Sequence, residues 1–173
     1  MALAVCRICA AEVPRCSECP LARGCVAKKT GQAGVIPFRP KRKPAPHYDI
    51  AACVIRRGDK VLISQRRAHQ MLGGLWEFPG GKRLPGEALE ETARRELREE
   101  MGIEIRVGTC LCVVKHAYSH FRITLYAFDC RHVSGRPSAL ASDQVRWVPV
   151  RRLREYPFPA ADREIIDRLC PAG

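Results

Sequence analysis

The stretch 81–103, GKRLPGEALEETARRELREEMGI, constrains the chain more than any other. Pro85 and Gly86 close a loop, and Glu87, Glu90 and Glu91 suit the electropositive start of a helix. Leu89, Ala93 and Leu97 repeat at i, i+4 and i+8 as an apolar seam, and Gly102 ends the helix. On that helix Glu96, Glu99 and Glu100 stand at i, i+3 and i+4 and share one face. Like charges at that spacing repel, so the fold must bring a divalent cation or a group of bases to them. Carboxylates beside the backbone carbonyls of Gly80 and Gly81 make the hard-oxygen environment that Mg²⁺ or Mn²⁺ takes. A merely solvated helix of Glu–Arg pairs would need no glycines at fixed offsets.

The spacing G-x5-E-x7-R-E-U-x-E-E-x-G-U, with U aliphatic, is met at Gly81, Glu87, Arg95, Glu96, Leu97, Glu99, Glu100, Gly102 and Ile103. It resembles the signature of the Nudix hydrolases, and the preceding Trp76–Lys82, WEFPGGK, resembles the MutT branch. The resemblance covers roughly Pro46 to Leu169 and implies an α/β (α+β) fold, an α/β/α sandwich with a mixed sheet. It further implies Mg²⁺ or Mn²⁺ held by Glu96, Glu99 and Glu100 with the carbonyl of Gly80 or Gly81, Glu100 being the central ligand and Glu96 the general base. Arg95 is expected to orient Glu87 and the carboxylates by bidentate pairing. The implied substrate is an oxidised purine nucleoside triphosphate, 8-oxo-dGTP, cut to the monophosphate and pyrophosphate. Arg67 or Arg66 would grip its phosphate, with Phe78 and Asp162 on the base side. A solvated strand-end charge and a first-turn helix residue are the plain readings of Arg67 and Asp162.

The flanking sequence agrees with that layout. Residues 49–56 and 60–66 flank an Arg57-Gly58-Asp59 turn and read as a hairpin. Residues 104–115, 122–131 and 145–150 are further strand candidates, rich in Val, Ile, Leu, Tyr and Trp. Residues 161–169 form a short amphipathic helix in which Ile165, Ile166 and Leu169 share a face.

The net charge of +12 is uneven, because residues 1–46 carry nine Lys/Arg against two Glu, a surplus of seven. Such an excess favours polyanionic partners. Five of the ten cysteines lie in the first 25 residues. Cys9, Cys16, Cys19 and Cys25 give C-x6-C-x2-C-x5-C, a set that closes around tetrahedral zinc or an iron–sulfur cluster, and spacing alone does not choose. Cys6 falls outside the set, and Cys53, Cys110, Cys112, Cys130 and Cys170 read as small buried hydrophobes.

The segment CAAEVPRCSECPLARGC is similar to the iron–sulfur loop of the MutY and endonuclease III glycosylases, which implies a [4Fe-4S] cluster on those four cysteines. The basic, Pro-rich residues 30–46 resemble the connector that follows the loop in MutY proteins, so the chain divides into a cysteine loop at 1–29, a linker at 30–46 and the hydrolase domain at 47–173. In that family the helical excision domain lies upstream of the loop, and adenine excision by this chain is not expected. His116-Ala117-Tyr118-Ser119-His120 resembles the loop with which MutY contacts 8-oxoguanine in DNA, placing Ser119 and His120 beside the base. A polar hairpin turn is the plainer account of those residues. The rival to the hydrolase is therefore a non-catalytic module that recognises 8-oxoguanine in DNA with a separate glycosylase domain. It would have no use for Arg95, Glu96, Glu99 and Glu100 together. No apolar run approaches the ~20 residues of a membrane span, and a cytoplasmic location is expected.

Overall fold

A computed structural model describes residues 8–9, 13–35 and 45–171. The chain forms two compact units, residues 1–44 and 45–173. The basic run Arg39–Lys43 and Cys6 lie outside the described residues.

In the second unit, β1 (His47–Arg57) and β2 (Lys60–Gln65) form the hairpin expected from the turn, with Arg57 opposite Lys60. The short strands β3 (Trp76–Glu77) and β4 (Gly80–Lys82) follow, then helix α2 (Leu89–Met101), then β5 (Glu104–Ala117), β6 (Arg122–Ser134) and β7 (Gln144–Pro149). A 3-10 turn (Val150–Glu155) leads to helix α3 (Ala160–Leu169). The label α1 belongs to Val26–Lys29 in the first unit. The sheet runs β3-β2-β1-β6-β5, with β4 on β1 and β7 on β2. It is mixed, because β1 and β6 are parallel over ten residue pairs and the remaining pairings are antiparallel.

Strand alternation sends the two sides of β1 into two different cores. Ala51, Cys53 and Ile55 meet Ala93, Leu97 and Met101 of α2 on one face. Ala52 and Val54 join Phe158, Ala161, Ile165 and Ile166 of the α3 side on the other. One helix on each face of a mixed sheet is the expected α/β/α sandwich. The expected seam on α2 is buried at Ala93 and Leu97, and Leu89 packs partly against the same cluster. Reaching β3 and β4 from sequence is harder, since two- and three-residue strands carry no period and exist through their partners Ser64–Gln65 and Ile50–Ala52.

Leu97 is fully buried whereas Val133 is 59% exposed. Leu97→Ala should therefore remove about 2–5 kcal/mol of stability and Val133→Ala no more than about 0.5 kcal/mol, read from urea unfolding midpoints. Equal midpoints for the two variants would contradict this placement of the core.

Candidate functional site

Helix α2 carries its carboxylates to the β4 backbone. Gly81 lies opposite Ala51 on β1, and the Glu96 carboxyl group sits where a Cβ on Gly81 would be, so no residue with a side chain fits there without displacing Glu96. One turn further along, the Glu100 carboxyl group faces the Gly80 backbone, whose N–H favours its charged form. Burial raises the Glu100 pKa to about 8, and the charges of Glu77 and Glu96 add to the effect.

Arg95 organises the other acids. Its Nε and Nη2 donate to the two oxygens of Glu87 at 2.8 and 3.0 Å, and its Nη1 reaches Glu96 at 2.9 Å and Glu99 at 3.2 Å. Glu87 also accepts from the Leu84 N–H and the Thr92 hydroxyl. Together these bonds, led by Arg95, hold the Glu87 pKa down at about 2. The bidentate pairing expected of Arg95 is thus made with Glu87.

Asp162 and Phe158 pack on the opposite sheet face. Asp162, in the first turn of α3, is buried, and its Oδ1 accepts the Phe78 N–H at 3.1 Å. Burial, with a contribution from Glu77, raises its pKa to about 7. Phe78 stacks on Phe158 with ring centroids 5.6 Å apart. The charge of Asp162 contributes to raising the Tyr118 pKa, after burial, so this loop stands near Asp162. Tyr118 stacks on Phe121 at 4.7 Å and meets His116 edge-on at 4.6 Å, while Ser119 and His120 are exposed at the loop tip.

Of the two candidate arginines, Arg66 is the one turned into the site. Its Nη1 donates to Glu77 at 2.6 Å and its Nε to the Met71 carbonyl at 2.8 Å, and its charge is felt by Glu100, Asp162 and Tyr118 alike. Arg67 instead donates to the Leu140 carbonyl at 2.7 Å. Glu77 is a site residue that the motif reading passed over. Its pKa is raised by burial against the opposing pull of Arg66, and it adds negative charge to both Glu100 and Asp162. A charged residue inside the apolar run Leu75–Phe78 was the available signal.

Among the described residues no three His, Cys, Asp or Glu side chains converge closely enough to hold an ion as they stand. Glu96 and Glu99 rest on Arg95 while Glu100 faces Gly80. The donor set nevertheless fits a hard divalent cation: a buried carboxyl group that resists ionisation, a second beside it and glycine backbone at contact distance.

In the first unit Cys9, Cys16, Cys19 and Cys25 are free thiols and line one cavity of about 230 Å³. Ile8, Pro14 and Ala22 are among its other walls.

Linkage gives the pH dependence of the acidic site a definite sign. Glu100 is raised from 4.5 to about 8 and Asp162 from 3.8 to about 7 in the folded protein. Between the unfolded and folded values the native state holds the proton that the unfolded chain has lost, so stability is fullest at acidic pH and falls as pH rises through the window. Metal-free protein should lose about 1 kcal/mol between pH 7 and 8 through Glu100, and Glu100→Gln should flatten that segment of the stability curve. An unchanged slope in the variant would show that Glu100 is not the titrating group.

Comparison with known proteins places this architecture. Residues 51–168 match the NUDIX domain. The chain is 34% identical over 119 residues to the CTP pyrophosphohydrolase of Escherichia coli (strain K12), covering 69% of this chain and 88% of the relative. It is 31% identical over 123 residues to the 8-oxo-dGTP diphosphatase of Buchnera aphidicola subsp. Schizaphis graminum, covering 71% and 93%. Among solved structures, the E. coli ORF135 protein superposes with a TM-score of 0.64 at 31% identity over 75% of this chain and 96% of that one. The MutT protein of Methanosarcina mazei Go1 superposes with a TM-score of 0.67 at 25% identity, over 74% and 96%. With the signature residues gathered on α2 and β4 and the domain matched from Ala51 to Arg168, the chain belongs to the Nudix family.

Proposed function

We propose that the protein is a Mg²⁺- or Mn²⁺-dependent pyrophosphohydrolase that cuts a nucleoside triphosphate to the monophosphate and pyrophosphate, with 8-oxo-dGTP as its substrate. The observation that carries this reading is the apposition of Glu96 and Glu100 to the Gly80–Gly81 backbone, with Arg66 in electrostatic reach of both Glu100 and Asp162. Glu100 is the central ligand, joined by Glu96, Glu99 and a carbonyl of Gly80 or Gly81, because a buried carboxyl group is stabilised in its charged form by a cation. When bound, a cation would offset the negative charge of the phosphoanhydride oxygens and acidify the water that attacks phosphorus. Arg95 keeps Glu96 oriented to accept the proton of that water, and Arg66, braced by Glu77 and Met71, meets the substrate phosphate. The ionised Asp162 accepts an N–H from the base, and 8-oxoguanine gains such a donor at N7.

Cytosine is a second reading that Asp162 favours, since its exocyclic amine is also a donor to a carboxylate, and a relative is named as a CTP pyrophosphohydrolase. Duplex DNA as partner is less supported, because Tyr118 is engaged by Phe121 and His116. A nucleotide-pool reaction implies the cytoplasm, and among the described residues no helix is long and apolar enough to cross a membrane.

The cysteine loop completes the proposal. Four thiols lining one cavity support a shared metal site, and the [4Fe-4S] cluster is the one that the resemblance of the loop implies.

Pyrophosphate release should be measured with Mg²⁺ on a panel of 8-oxo-dGTP, dGTP and CTP. Turnover should be highest with 8-oxo-dGTP, and Glu96→Gln and Glu100→Gln should each reduce it at least about a hundredfold, within the range of a positioned proton acceptor or metal ligand. Parent-like rates in both variants would refute the assignment. Tight, lesion-selective duplex binding without triphosphate hydrolysis would favour the DNA-recognition module instead. Anaerobically purified protein should contain about four iron and four sulfide per chain, and colourless protein with one zinc would move the loop to the zinc class.

A further inference from the structure

Segment 135–143, between β6 and β7, is wrapped around the C-terminal end of α2. It begins at Gly135, whose backbone has φ +88° and lies so near the Gly102 carbonyl that an added Cβ would stand 2.5 Å from that oxygen. His132 bonds the Gly135 carbonyl at 2.9 Å. The Ser138 N–H then donates to the Met101 carbonyl and the Leu140 N–H to the Glu100 carbonyl, each at 3.1 Å. These are among the carbonyls that a helix end leaves without intrahelical partners. The segment returns to the sheet where the Asp143 N–H donates to the Gln65 carbonyl at 2.9 Å.

A side chain closes the wrap from the far side. Arg67, in the β2–β3 loop, donates from Nη2 to the Leu140 carbonyl at 2.7 Å, and its own N–H donates to the Gln70 side chain at 3.0 Å. One peptide unit back, the Leu140 N–H donates to the Glu100 carbonyl. Arg67 therefore connects the loop that starts at Arg66 to the residue whose carboxylate faces Gly80.

We infer that Arg67 is a positioning residue: it clamps segment 135–143 onto the end of α2 and so fixes Glu100 where the cation binds. The link to catalysis rests on the hydrolase reading above, whereas the clamp itself does not. Arg67 acts through backbone groups, so its loss should change cation binding and turnover more than nucleotide affinity.

The test uses Arg67→Met, Arg67→Lys and Leu140→Pro in the full chain. Amide hydrogen exchange at Ser138 and Leu140 needs neither cation nor substrate. In Arg67→Met both amides should exchange about tenfold faster, on the scale that one side-chain hydrogen bond supports. Mn²⁺ affinity, read by electron paramagnetic resonance, should weaken about threefold or more on the same grounds. Arg67→Lys, which keeps a donor, should lie between parent and Arg67→Met. Leu140→Pro removes the Leu140 N–H bond to Glu100, and its effect on Mn²⁺ affinity should be non-additive with that of Arg67→Met, because both break one chain of contacts. In kinetics kcat should fall while KM for the nucleotide changes less than about twofold.

Unchanged exchange in Arg67→Met overturns the clamp, and faster exchange with parent-like Mn²⁺ affinity overturns its link to Glu100. A defect confined to nucleotide KM would make Arg67 a substrate contact and overturn the inference. If the parent protein hydrolyses no nucleotide, the proposed function fails, while exchange and Mn²⁺ binding still decide the role of Arg67.

Discussion

The second unit depends on the contact between two α2 carboxylates and the bare backbone of β4. Glu96 occupies the space that a Gly81 side chain would need, and Glu100 faces the Gly80 backbone in a setting whose burial holds its pKa near 8. Burying acidic groups together opposes folding unless something offsets it. The apolar seam of α2 provides that offset, since Ala93, Leu97 and Met101 bind the helix to Ala51, Cys53 and Ile55. The same seam that stabilises the helix also aims its charged face, so packing and site geometry cannot be separated.

Two arginines divide the work of managing that charge. Arg95 gathers Glu87, Glu96 and Glu99 around one guanidinium, which depresses the Glu87 pKa and fixes the loop before α2. Arg66 pairs with Glu77 and lies within electrostatic reach of Glu100 and Asp162. Glu77, Glu100 and Asp162 all have raised pKa values, and with Glu100 near 8 the free site holds a proton at neutral pH that a bound cation would displace.

The helix, its acidic face and the glycine contact were legible in sequence because each depends on spacing within one short stretch. The long strands were also legible, as alternation persists over many residues, although β5 and β6 extend beyond the expected ends to Ala117 and Ser134. What escaped depends on partners distant in sequence. Strands β3 and β4 exist through β2 and β1, and Glu77 gains its role when α2, α3 and Arg66 meet around it. The choice between Arg66 and Arg67 was open to a parity argument: Ser64 pairs with Glu77, and Arg66 shares its strand face through the period of two. The role of Arg67 was not legible, because it contacts a backbone carbonyl 73 positions away.

The central claim is that Glu100 is a buried acid kept ready for a divalent cation. Calorimetric titration of the metal-free protein with Mg²⁺ at pH 7, repeated in two buffers of different ionisation enthalpy, counts the protons released on binding. With a Glu100 pKa of about 8 in the free protein, the account predicts release of about one proton per bound cation, and markedly less release with weaker binding in Glu100→Gln. Cation binding without proton release, at equal affinity in the parent and the variant, would contradict it.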